Sequence, residues 1–272
     1  MQLLHLTILA VVQGISEFLP VSSSGHLILL PNLAGWQDQG RNIDIAVHVG
    51  TLGAVLVYFH RDIWRVLCGF LGINRREYRA GRALGFHLLV SLPPVIIGGG
   101  LMAYFAPEIF RSPLIVAWTT LGFGALLWLA DHIGMTFRRV EHMTYGSAFI
   151  IGMAQVLALL PGTSRSGITI TAARFLGFER GSAARFSMLM SIPVIVAAGA
   201  VAGHDLVTAG DPIVTSGAGI ATAIAFLTAL LSIAILMQML KRVSLMPFVI
   251  YRLFLGISLL VLYYGFGWTL GS

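Results

Sequence analysis

The chain has 272 residues, of which 57% are hydrophobic and only 10% charged, and its mean hydropathy is +0.88. Soluble domains run roughly 45–50% apolar and about 25% charged, so this chain has too few ionisable groups for a water-facing surface; a soluble enzyme, a disordered chain and a nucleic-acid module are excluded. A polytopic membrane protein remains, and its net charge of +6 needs an account other than nucleic acid.

In chain order, no Lys or Arg precedes Arg41, so the basic start of a cleavable signal peptide is not expected. Residues 2–34 are apolar but broken by Pro20 and the run Ser22-Ser23-Ser24-Gly25-His26. A spanning helix needs roughly 20 residues, and each half falls short. Broken backbone is tolerated at membrane depth only against protein or a wet cavity, so this region reads as a re-entrant helical hairpin. Full spans are predicted at about 43–60, 83–104 and 113–133, with a basic loop over 61–82. A second hairpin follows at about 145–177, broken by Pro161 and Gly162-Thr163-Ser164-Arg165-Ser166-Gly167. Spans at about 184–204, 217–240 and 247–268 complete the chain. The predicted fold is an all-α polytopic membrane protein with six transmembrane helices and two re-entrant helical hairpins.

Sidedness follows from the arginines. Arg61, Arg65, Arg75, Arg76, Arg79 and Arg82 share one side with Arg138, Arg139, Arg174, Arg180, Arg185, Lys241 and Arg242. The other side receives Arg41 and Arg111 alone. Basic loops mark the cytoplasm, which places the first hairpin as entering from outside and the second from inside. The single membrane domain then consists of two halves, about 1–140 and 141–272, of inverted topology. Such repeats place a site near the midplane, where broken segments meet.

The first tip carries Gln13, Glu17, Ser22, Ser23, Ser24 and His26; the second carries Ser164, Arg165, Ser166 and Thr169. Gln13 and Glu17, four apart, share a helix face. A helix start with a fixed arginine and hydroxyls suits an anion, and ionisable groups inside a membrane are functional candidates. The plainer readings are turn geometry or capping for Ser22, Ser24 and Ser166, a structural ion pair for Glu17 and Arg165, and a satisfied core residue for His26. Gln13 reads as a polar bridge or neutral ligand, since an amide cannot titrate.

Elsewhere the readings are structural. Cys68, the single cysteine, is expected to pack near a helix end. Gly98-Gly99-Gly100 and the small-residue run 197–203 should let helices approach closely, and Pro93-Pro94 and Pro193 should kink theirs. Arg252, near the cytoplasmic end of the last span, is expected to snorkel, with anionic headgroup contact as the second reading. Asp44 and His48 read as a solvated helix start, with a place on the rim of the site as the second reading.

Residues 13–26, Gln-Gly-Ile-Ser-Glu-Phe-Leu-Pro-Val-Ser-Ser-Ser-Gly-His, and 161–169, Pro-Gly-Thr-Ser-Arg-Ser-Gly-Ile-Thr, resemble the two signature motifs of the undecaprenyl-diphosphatase, or bacitracin-resistance, family. Chain length, span pattern and Ile250-Tyr251-Arg252 extend the resemblance over the whole chain. It implies an enzyme of the bacterial inner membrane that removes the terminal phosphate of the C55 polyprenyl diphosphate carrier. The product, undecaprenyl phosphate, serves further cell-wall precursor transport. The implied cofactor is a divalent cation, Mg2+ or Ca2+, with Glu17 as its ligand or as a base. Implied catalytic residues are Glu17, Ser23, His26 and Arg165. Implied substrate-binding residues are Gln13, Ser22, Ser164, Ser166 and Thr169, with Gln13 at a position that takes Glu or Gln. Ser23, or a water in its place, is the expected nucleophile, with His26 as proton shuttle or, second, as a phosphohistidine. Expected partners are the lipid substrate and membrane lipids, not nucleic acid; a second copy of the chain is a further candidate. The site is expected to open toward the periplasm. The competing class is an inverted-repeat transporter or flippase for polyprenyl phosphate or another anion.

Overall fold

A computed structural model describes residues 3–36, 41–73, 75–105, 112–134, 136–209 and 212–266; side chains are described for most of these, but not for 197–209 or 212–216. The described residues are helical throughout, with one isolated bridge between Arg138 and Phe178 as their only β pairing. The helices are α1 (Leu3–Ser16), α2 (Ser23–Ala34), α3 (Arg41–Tyr58), α4 (His60–Phe70), α5 (Arg76–Phe105), α6 (Pro113–Ile133), α7 (Tyr145–Val156), α8 (Arg165–Phe175), α9 (Arg180–Ala209), α10 (Pro212–Met239) and α11 (Met246–Phe266).

Among the described residues, four helical stretches are long and apolar enough to cross a membrane: Arg76–Met102, Leu114–Ile133, Gly217–Met239 and Met246–Gly265. A fifth arises if α3 and α4, bent by 77° between Tyr58 and His60, count as one span. The chain is a multi-pass membrane protein. Its lipid-facing surface accounts for the many exposed large apolar side chains, among them Ile96, Leu227, Leu231 and Phe254.

Local chemistry sets the helix ends. Ser112 accepts from Leu114 N at 3.3 Å ahead of Pro113, and Thr144 accepts from Ser147 N at 3.2 Å, so polar caps open α6 and α7. Broken helix pairs stand where the two hairpins are expected: α1 and α2 are parted at Glu17–Ser22, and α7 and α8 at Leu160–Ser164 after a 3₁₀ turn at Leu157–Leu159. Pro20 and Pro161 fall inside these breaks, where a missing N–H costs nothing. Each hairpin packs on helices distant in sequence. α1 lies against α10 and α3, α7 against α5, and α8 against α6 and α9. At Gly14 the approach of α1 to α10 is so close that a Cβ would stand 1.9 Å from Thr228 Oγ1 and 2.8 Å from the Ala225 carbonyl.

Several expectations are corrected. The segment after the first predicted span is no loop: α4 is an amphipathic helix that buries Asp62, Cys68 and Gly69 while Arg61, Trp64 and Leu67 stay exposed. Its charges Arg61, Asp62 and Arg65 crowd the first turns and so read as a loop, although Asp62 is turned inward. Cys68 packs near the helix end as expected. α5 begins seven residues before the predicted span, at Arg76. Of the three consecutive glycines, Gly98 alone is tightly packed, 2.7 Å from Val156 Cγ1 to its would-be Cβ; Gly100 faces open space. Side chains of the small-residue run 197–203 lie outside those described. Arg174, assigned to a basic loop, is fully buried: its guanidinium donates to the carbonyls of Phe178 (2.7 Å) and Gly134 (2.9 Å) and lies 3.3 Å from Asp131. Arg252 does not snorkel; it too is 0% exposed.

Candidate active site

The two breaks meet at Glu17. The last α-helical bond, Glu17 N to Gln13 O at 2.9 Å, keeps both side chains on one face beyond the end of α1. Gln13 Nε2 donates to Glu17 Oε2 at 2.8 Å. Ser23, the first residue of α2, donates its hydroxyl to the same oxygen at 2.8 Å. Arg165, the first residue of α8, donates NH2 to Glu17 Oε1 at 2.6 Å. One buried carboxylate therefore joins both tips.

Ser22 and Ser164, immediately before α2 and α8, take positive φ values of 76° and 71°. Each caps its helix, Ser22 accepting from Gly25 N at 3.3 Å and Ser164 from Gly167 N at 3.1 Å. The unusual φ turns the chain so sharply that Ser23 and Arg165 point back toward Glu17. Gly162, at φ 87°, allows the approach to α6: a Cβ there would stand 2.2 Å from Thr119 Oγ1.

A cavity of about 350 Å³ opens beside this cluster, lined by Glu17, Ser23, Ser24, Ser164 and Arg165 of the tips, Asp44, Ile45 and His48 of α3, Ala158, and Val194 and Ile195 of α9. It pairs a polar floor with an apolar flank. Arg165 NH1 is buried and, among the described residues, has no hydrogen-bond partner, and Gln13 Oε1 is likewise buried and unpartnered there. A free guanidinium nitrogen is a ready donor to an anionic oxygen.

Some expected residues stand elsewhere. His26 does not join the cluster: its Nδ1 meets the Ser22 carbonyl at 2.6 Å and its Nε2 hydrogen-bonds the Tyr251 hydroxyl, so both ring nitrogens are engaged away from Glu17. Thr169 is buried under the second tip, donating to Arg165 O (2.8 Å) and paired with Ser187 Oγ (2.6 Å). Ser166 donates to the Leu19 carbonyl at 2.9 Å and so ties tip to tip. These two, like Ser22, hold the site's frame.

The imidazole that does face Glu17 is His48, with Nε2 3.6 Å from Oε2. Its Nδ1 sits 2.6 Å from the Asp44 carbonyl one turn earlier, which fixes the ring. The rim reading of Asp44 and His48 is therefore the one observed, not the solvated helix start. Their spacing was the available signal; it lacked the knowledge that α3 packs beside α1 and α9.

Among the described residues no group of three or more His, Cys, Asp or Glu could hold a divalent cation. The Glu17 carboxylate beside the unpartnered Gln13 Oε1 and the Ser23 hydroxyl is nonetheless an oxygen-only donor set. It suits a hard cation that keeps water and substrate ligands.

The curated relatives include proteins named undecaprenyl-diphosphatase from Roseobacter denitrificans, 48% identical over 97% of this chain and 100% of the relative, and from Ruegeria pomeroyi, 47% identical over the same shares. A third, from Chromohalobacter salexigens, is 47% identical over 96% of this chain and 99% of the relative. The family model described as bacitracin resistance protein BacA matches residues 6–258. That span contains both tips and Arg252, and the chain belongs to the BacA family.

Proposed function

We propose that the protein is an undecaprenyl-diphosphatase of the bacterial inner membrane, hydrolysing a C55 polyprenyl diphosphate to undecaprenyl phosphate and phosphate, and that it confers bacitracin resistance by recycling this carrier. The observation that carries the reading is the cluster at Glu17. There a hydroxyl in hydrogen-bond contact with a carboxylate base stands beside an arginine with one unpartnered nitrogen. Nucleophile and base in direct contact, with a cation fixed next to them, is the constellation that phosphoryl transfer needs.

Arg165 NH1 and Ser164 hold the terminal phosphate at the cavity floor. Glu17 takes the proton from the attacking oxygen, either Ser23 Oγ or a water in its place. The new O–P bond forms as the bridging P–O bond breaks, and undecaprenyl phosphate leaves. If Ser23 attacks, water then cleaves the phosphoserine. His26, engaged by Ser22 and Tyr251, steadies the first tip and is not the nucleophile. Glu17 and Gln13 would hold the divalent cation, which when bound supplies charge neutralisation for the diphosphate. The apolar flank at Ile45, Val194 and Ile195 leads toward the lipid-facing helices and accommodates the start of the polyprenyl chain.

The finer topology belongs to the same proposal. Six spans and two re-entrant hairpins in inverted halves, with the basic loops cytoplasmic and the site opening to the periplasm, accord with the broken helix pairs and with the arginine distribution. The direct test is phosphate release from undecaprenyl diphosphate by the purified full-length protein, with and without chelator. Metal-dependent release is expected. No release with any divalent cation would overturn the reading.

A further inference from the structure

Arg252 of α11 lies beneath the two tips, wholly buried, and among the described residues every group it donates to is a backbone carbonyl. NH1 donates to Thr163 O at 3.0 Å and Pro20 O at 3.4 Å, NH2 to Gly162 O at 3.0 Å and Thr119 O at 3.5 Å, and Nε to Thr120 O at 3.2 Å. Two of the breaks' own carbonyls on one side and one on the other are thus held by a single guanidinium. Among the described residues no carboxylate forms an ion pair with it. Arg174, the other wholly buried arginine, has Asp131 within 3.3 Å.

A buried cation satisfied by dipoles alone is costly to keep. If hydrogen bonding to the breaks were all that was needed, neutral donors would serve at lower cost. The charge is placed one layer under the cavity floor. NH1 binds the residue before Ser164, and it lies 3.3 Å from where a Cβ on Gly167 would stand, in the first turn of α8. In that poorly screened setting a unit charge acts over several ångströms. Glu17 largely offsets the charge of Arg165 within the cavity, so among the protein's own groups a further positive charge beneath the floor adds to the hold on a diphosphate, alongside any bound cation.

We propose that Arg252 is a positioning residue that supplies this charge: it draws the diphosphate onto the floor of the cavity without touching it. The inference rests on the diphosphate reading above. The probe is inorganic diphosphate as a competitor of the phosphatase reaction, its Ki measured on purified full-length protein. Variants are Arg252→Lys, which keeps the charge with fewer donors, and two neutral ones, Arg252→Gln and Arg252→Met, each used only where monodisperse. The expected result is a Ki within about threefold of the parent for Lys and raised at least about tenfold for a neutral variant, with KM moving in parallel. A neutral variant with unchanged Ki and KM overturns the proposal. So does the case in which only Lys yields folded protein, which would make the charge structural. If the parent protein itself neither releases phosphate nor binds diphosphate, the functional reading fails instead.

Discussion

Ser22 and Ser164 both take positive φ, 76° and 71°, and among the described residues they are the only non-glycine residues that do. Each stands immediately before a helix, each accepts from the amide three residues on, and each is followed by a residue whose side chain reaches Glu17. The strain, about 1 kcal/mol or more apiece, is spent at the two places where the chain must reverse beside the site.

That conformation sets the first prediction. Ser164→Gly should retain the turn, losing only a few tenths of a kcal/mol of capping while relieving about 1 kcal/mol of strain, whereas Ser164→Ala loses the cap, at about 1 kcal/mol, and keeps the strain the serine already bears. Thermal unfolding in detergent ranks the two. If Ala proves as stable as Gly, the conformation is not what selects the residue.

Arg165 holds Glu17 and, in the proposed mechanism, the phosphate as well. Arg165→Ala should lower phosphate release by at least about 10²–10³-fold while the protein still inserts. Arg165→Lys should recover part of this, because a point charge lacks the second nitrogen that binds phosphate while the first holds Glu17. Near-normal turnover in the alanine variant would remove Arg165 from the site.

His48 is expected to matter through its contact with Glu17. His48→Ala should lower kcat about 10- to 100-fold, at the lower end of what a positioned polar or proton-transferring group supplies. His48→Gln, which preserves a polar group at that height on α3, should lose less. Steady-state kinetics on the two variants, with KM and kcat separated, checks the order.

The nucleophile can be read by trapping with parallel acid and alkaline quenches, since phosphoserine survives acid whereas phosphohistidine survives alkali only. With substrate labelled in the terminal phosphate and rapid quenching, label should appear on Ser23 or on no residue. Label on His26 would contradict its placement between the Ser22 carbonyl and the Tyr251 hydroxyl. Tyr251→Phe frees Nε2 and should reduce turnover only a few-fold, as expected for the loss of one hydrogen bond of about 1 kcal/mol.

Much of this was legible in the residue order. Pro20 and Pro161, each followed by a polar run, located both breaks, and the apolar stretch at 113–133 coincides with α6. Glu17, Ser23 and Arg165 stood out because charge and hydroxyls are scarce in so apolar a chain. What composition could not convey was the direction of side chains after packing. Arg174 and Arg252 sit at sequence positions where a free arginine would lie near the membrane surface, yet folding turns them inward onto carbonyls. His48 is one of several histidines in the chain; its role depends on the angle at which α3 meets α1. The same limit applies to α4, whose charges conceal a helix because a loop and a solvated helix face have similar compositions.

The contact between the tips has a kinetic meaning. A carrier that rocks between two faces must part its broken helices on every cycle. Here parting would sever the Glu17–Arg165 pair, the Ser166–Leu19 bond, and the grip of Arg252 on Pro20 from one tip and Thr163 from the other. Several charge-assisted bonds broken together away from water would make each stroke slow. A seam closed in this way favours a stationary catalyst, at which lipid arrives and departs sideways while the two tips stay joined.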